Sequence, residues 1–183
     1  MGEMLQYVGS LFSGGVIFLM LITFFAGIGE TAVTQTFSTT VQENFVSATE
    51  NIERDFRGIG YGVTDSIGVL LADSSRLIYR TDLGDDGVID TIMYELGPLL
   101  SWGGGNPRAR ILYRSVNGAP PIPVATGVTE FTLQYFDSAG TPALADKDVR
   151  ALHVAMTLES DTHIEGGYPG VYWHRTVKPK NLR

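Results

Sequence analysis

The 183-residue chain contains no cysteine. That absence removes thiol catalysis, thiolate metal sites and any disulfide framework. A domain without cross-links depends on its core, on ions or on neighbours for stability. Positive charge is also scarce. Lys and Arg number 13 against 20 Asp and Glu, for a net charge of -7 and a pI of about 4.8. A nucleic-acid partner calls for a basic footprint, so none is indicated. Only the last stretch, His174 to Arg183, is basic. Catalytic signatures are missing as well. No Ser sits in a nucleophile elbow, and Gly103-Gly104-Gly105 lacks the Lys and the helix of a phosphate loop. His153, His163 and His174 are scattered, and His163-Ile164-Glu165 has no second ligand pair beside it. For Trp102, Trp173, Tyr168 and Tyr172, core and loop packing fits better than an aromatic ligand patch. The chain is not expected to be an enzyme.

One absence is local. No charged residue lies between Glu3 and Glu30. Residues Met4 to Ile28 therefore read as a helix long enough to cross a hydrocarbon core of roughly 30 Å. The start is acidic rather than basic and the run is long for a signal peptide, so this segment is expected to be retained. The expected location is the inner membrane, as a single-pass protein with an exported C-terminal part. Gly9 and Ser13, and Ser10 and Gly14, are four residues apart, the spacing that lets two helices approach closely. With Glu3, the only acid near the N-terminus, these residues form the expected assembly face.

Beyond the uncharged run, apolar residues recur at Val33, Phe37, Val41, Phe45, Ala48, Ile52, Phe56 and Ile59. Steps of three and four make a helical stripe. Arg54 and Arg57 suit a helix C-terminus, and Gly58 and Gly60 end it. A single helix to Arg57 would measure roughly 80 Å, its second half, about 30–57, packing through Val33, Phe37, Val41, Phe45, Ala48, Ile52 and Phe56.

After Tyr61 the pattern alternates. The expected strands are Leu77–Arg80, Val88–Glu95, Arg110–Val116, Thr129–Phe136, Val149–Leu158 and Val171–Thr176, separated by Gly-, Pro- and Asp-rich turns. The expected fold is α+β: a long N-terminal transmembrane and amphipathic helix, residues 1–57, packed on an antiparallel β-sheet head, residues 58–183.

Asp82, Asp86 and Asp90 fall at positions one, five and nine of a calcium loop, with Gly87 at the sharp turn. Gly84 and Met93 stand where further ligands belong. The alternative, a plain hairpin turn using Asp and Gly for their turn conformations, fits better. No cofactor is expected, calcium being the one candidate.

An uncharged segment continuous with an amphipathic helix and followed by an antiparallel sheet resembles the type IV pilin superfamily. The phrases Ile52-Glu53-Arg54-Asp55-Phe56-Arg57-Gly58-Ile59-Gly60-Tyr61-Gly62, Ile111 to Gly118, Val124 to Phe131 and Tyr135 to Gly140 resemble minor pilins and J-type pseudopilins. The resemblance does not extend to a prepilin leader. It implies a structural subunit of a type IV pilus-like filament or of a type II secretion pseudopilus, held in the inner membrane before assembly. Its partners would be copies of itself or related pilins, joined through the N-terminal helix. The competing expectation is a membrane-tethered binding or sensor domain that does not polymerise.

Overall fold

The computed structural model describes residues 2–64, 67–100, 105–163 and 166–182. Within the first of these ranges it describes the side chains of residues 9, 11–24 and 45–64. The chain divides into two compact units, Met1–Thr39 and Thr40–Arg183. The helix α1 (Gly2–Arg57) runs through both ranges.

The second unit is built on one seven-stranded sheet. Its strands are β1 (Val69–Ala72), β2 (Arg76–Thr81), β3 (Asp90–Leu96), β4 (Arg110–Val116), β5 (Ile122–Phe136), β6 (Ala151–Glu159) and β7 (Gly170–Val177). They lie side by side in chain order, and every neighbouring pair is antiparallel. A 3-10 turn, Asp146–Asp148, precedes β6. It holds the edge of β1, where the Ala72 amide donates to Asp146 Oδ1 at 3.1 Å.

The register explains the core. Tyr94 on β3 faces Leu77 on β2 and Arg114 on β4. Farther along, Phe131, Leu133 and Tyr135 pair with Met156, Val154 and Leu152 on β6, which in turn pair with Trp173, Arg175 and Val177 on β7. Alternation thus places one continuous apolar face on the sheet, interrupted by Arg114 and Arg175. Ala48, Ile52 and Phe56 of α1 and Ile59 just beyond it are fully buried against this face, and Phe45 packs on its margin. Burial of a side chain such as Ile52 or Phe56 is worth about 1.5–3 kcal/mol. Phe56 meets Tyr94 and Tyr79 edge to face, with ring centroids 5.2 Å and 6.3 Å apart.

Three expectations are corrected. The fold is not a long helix packed on a sheet. It is dominated by the antiparallel meander, and the helical side chains described against the sheet are confined to the last turns of α1, from Phe45 to Phe56. Val33, Phe37 and Val41 lie outside the described side chains. The transmembrane, single-pass pilin and its inner-membrane placement are not supported either. Among the described residues no helix is long and apolar enough to cross a membrane.

Two stretches of strand depart from the sequence expectation. β1 is a four-residue apolar run too short to classify by period. β5 begins at Ile122, seven residues before Thr129. Pro123 sits in this early half opposite Tyr113 on β4, while the pairing with β6 begins only at Val128. The outer edge of that half is open, so the missing amide of a proline is tolerated there. A bulge at Gly127 joins the two halves: its φ is 73°, and a Cβ there would meet the Glu159 carbonyl oxygen at 2.6 Å.

Candidate functional site

The first candidate is the described apolar segment of α1. Leu11, Phe12 and Val16 to Ile22 are exposed, from 38% at Val16 to 77% at Leu11. Six consecutive exposed residues, Ile17 to Ile22, turn through more than one full circle of a helix. The segment is therefore apolar all round, a pattern suited to burial rather than to water. Its hydroxyls turn back on the helix. Ser13 donates to the Gly9 carbonyl at 2.9 Å, and Thr23 donates to Leu19 and Met20 at 3.0 Å. Such back-bonding leaves no hydroxyl in need of water. Gly9 and Gly14 have nothing within 4 Å of a built Cβ. Glu3 and Ser10, the other two members of the expected assembly face, lie outside the described side chains.

The second candidate lies in the other unit, where the last turns of α1 meet the sheet. At about 100° per residue, Glu53 and Asp55 fall some 80° to either side of the midline between Ile52 and Phe56. Each carboxylate therefore reaches out from the buried stripe in a different direction. Asp55 Oδ2 accepts from Arg114 Nε on β4 at 2.6 Å and from the Tyr94 hydroxyl on β3 at 2.8 Å. Glu53 Oε1 lies 3.4 Å from Arg175 Nε on β7, and Glu53 Oε2 lies 3.0 Å from Arg57 one turn on. The two arginines that interrupt the apolar face are thus the two that α1 neutralises.

Burial shapes the titration of this cluster. It pushes the Tyr94 hydroxyl far above its ordinary value, and the charge of Asp55 adds to this. Tyr79 is raised in the same way, by burial first and Asp55 second. Its hydroxyl feels the carboxylate but is buried without a hydrogen-bond partner. Burial works against the Arg114 charge, and the hydrogen bond and charge of Asp55 outweigh it, so the guanidinium pKa rises. Asp55, Arg114 and the Tyr94 hydroxyl thus tie the last turns of α1 to β3 and β4 as an anchor.

The acidic loop between β2 and β3 is held by its own carboxylates. Asp82 accepts from the amides of Asp86 and Gly87 at 3.1 Å and 2.8 Å, and Asp86 accepts from Val88 at 2.9 Å. Asp90 accepts from the Leu83 amide at 3.3 Å and from the Asn117 side chain at 2.7 Å. Asp82, Asp86 and Asp90 are thus spent on turn amides and one carboxamide. Among the described residues, no three His, Asp or Glu side chains converge as a metal site. His153, His174 and Tyr172 form a row of tilted rings, 5.7 Å and 5.5 Å apart, across β6 and β7. His163 meets Tyr168 edge to face at 5.1 Å. Trp173 packs on the core, and Trp102 lies outside the described residues.

No family model matches the chain, and neither a curated protein nor a solved structure does. The likeness to pilins therefore stands on the sequence phrases alone.

Proposed function

We propose that the chain is a structural subunit of a filament, of the pilus or secretion-pseudopilus kind, assembled through the apolar segment of α1 with copies of itself. The observation that carries this reading is the all-round exposure of Leu11 to Phe24. Exposed apolar surface of this extent marks a site of association. The small residues Gly9 and Gly14, with open space beside them, offer points of close helix approach. The sequence phrases that resemble minor pilins and J-type pseudopilins point the same way. The reading assigns no catalytic step to any residue.

The test is electron microscopy of the full chain after removal from detergent, with cross-linking before removal. Fibres of uniform width, growing from cross-linked dimers and trimers, are expected. Monodisperse single subunits that never form an ordered polymer would contradict the proposal.

A further inference from the structure

We propose that a cleft beside the C-terminal end of α1 binds a multivalent phosphate-type anion. The cleft has a volume of ≈ 570 Å³ and is lined by Arg57, Tyr61, Arg175, Lys178, Lys180 and Asn181, among others. That size suits a small ligand. Four cations from three places in the chain meet there: the helix end, β7 and the C-terminal tail. They do so in a protein whose net charge is -7.

The compensation nearby is small. Glu53 is shared by Arg57 and Arg175, at 3.0 Å and 3.4 Å. Asp85 is engaged by the Tyr61 hydroxyl at 2.7 Å, and that hydrogen bond raises the Tyr61 pKa. Lys178 and Lys180 are exposed and have no ion pair among the described residues. The cleft therefore keeps a surplus of positive charge, and like charges brought together repel unless an anion joins them.

The cations of the tail are held in place. Val177 and Pro179 are buried, so Lys178 and Lys180 are turned outward by alternation. Beyond them Leu182 packs on the core. Its seat depends on two glycines: a Cβ at Gly68 would stand 2.5 Å from Leu182 Cδ2, and one at Gly60 would stand 3.2 Å from it. A pinned tail presents its ammonium groups without first being ordered, which favours binding. Two guanidinium forks and two ammonium point charges match a ligand with several phosphate oxygens. A single carboxylate would leave most of the surplus unmet. A free oligophosphate and an anionic lipid headgroup share this chemistry.

The experiment titrates the full chain, in a non-ionic detergent at low salt, with inorganic tripolyphosphate. Flotation with phosphatidylglycerol and phosphatidylcholine vesicles runs in parallel. Saturable one-to-one binding of tripolyphosphate is expected, weakened at least about tenfold in the double variant Lys178→Glu, Lys180→Glu. Both lysines are exposed, so the fold is expected to persist, and circular dichroism checks this. Gly68→Ala, which displaces Leu182 but keeps all four cations, is expected to weaken binding too. Preference for phosphatidylglycerol that disappears in the double variant, without tripolyphosphate binding, would assign the same site to a lipid headgroup. No binding in either arm, or binding equal in parent and double variant, overturns the proposal.

Discussion

Asp55 and Arg114 stand 59 residues apart in the chain and meet through a 2.6 Å ion pair beneath the helix. The pair links the last turns of α1 to the centre of the sheet, and Tyr94 completes it. Removing one partner of a largely buried pair leaves the other charge uncompensated. Asp55→Ala is therefore expected to destabilise the sheet unit by about 3 kcal/mol. Tyr94→Phe, which removes one donor to Asp55, is expected to cost about 1–2 kcal/mol. Tyr79→Phe removes a hydroxyl that has no partner and is expected to be neutral or slightly stabilising. Chemical denaturation of the three variants checks the order, and a Tyr79→Phe cost equal to that of Tyr94→Phe would contradict it.

Alkali provides a second test. Tyr79, Tyr94 and Tyr135 all have pKa values raised from 10.0, chiefly by burial. In the unfolded chain these groups ionise near their ordinary value, while in the folded chain they stay protonated. The unfolded state then binds fewer protons, so stability falls as pH rises. This contribution is intact below pH 10 and is lost above it, at up to about 1.4 kcal/mol per pH unit for each tyrosine. Melting temperatures measured from pH 8 to pH 12 should be level at first and then drop. Tyr94→Phe should make the drop shallower.

Gly127→Ala tests the bulge in β5. The substitution forces a Cβ into the left-handed region at φ 73° and to within 2.6 Å of the Glu159 carbonyl oxygen. A loss of more than about 1 kcal/mol is expected. Gly118→Ala is the matched control, since it has a similar φ of 74° but nothing within 4 Å. Equal losses in both variants would mean that the contact with β6 is unimportant and that only the backbone conformation matters.

The acidic loop is expected to behave as a turn. Asp82→Ala strips two amides of their acceptor and should cost about 1–2 kcal/mol. Asp86→Ala releases only the Val88 amide and should cost less. Neither change is expected to alter the response to calcium, measured by thermal melting with and without the ion. A large calcium-dependent rise in melting temperature that Asp86→Ala abolishes would show a metal site instead.

The anchor was legible in part. The steps of four and three through Ala48, Ile52 and Phe56 mark the buried stripe, and the three residues lie in the core. What the stripe leaves unsaid is that Glu53 and Asp55 flank it and reach different strands. Their partners Arg114 and Arg175 sit on inward positions that alternation reserves for apolar residues, and that mismatch was the available signal. The strand Arg110–Val116 could be read because its flanking turns are clear. The early half of β5 could not, because Pro123 and Gly127 argue against a strand until the open edge and the bulge are known. The transmembrane reading rests on the absence of charge from Met4 to Ile28 alone, whereas among the described residues no helix is long and apolar enough to cross a membrane.

The central claim is association through the apolar segment of α1, and one comparison tests it most directly. Gly9 has nothing within 4 Å of a built Cβ, so Gly9→Leu fits the lone subunit. Leucine also favours helix over glycine by nearly 1 kcal/mol. Any loss of assembly would then come from blocked close approach to a neighbour. The measurement is the yield of sedimenting polymer against free subunit for the parent, Gly9→Leu and the control Leu21→Ile. The account predicts abundant polymer for the parent and the control and a severalfold loss for Gly9→Leu. Equal polymer from all three, or none from any, would contradict it.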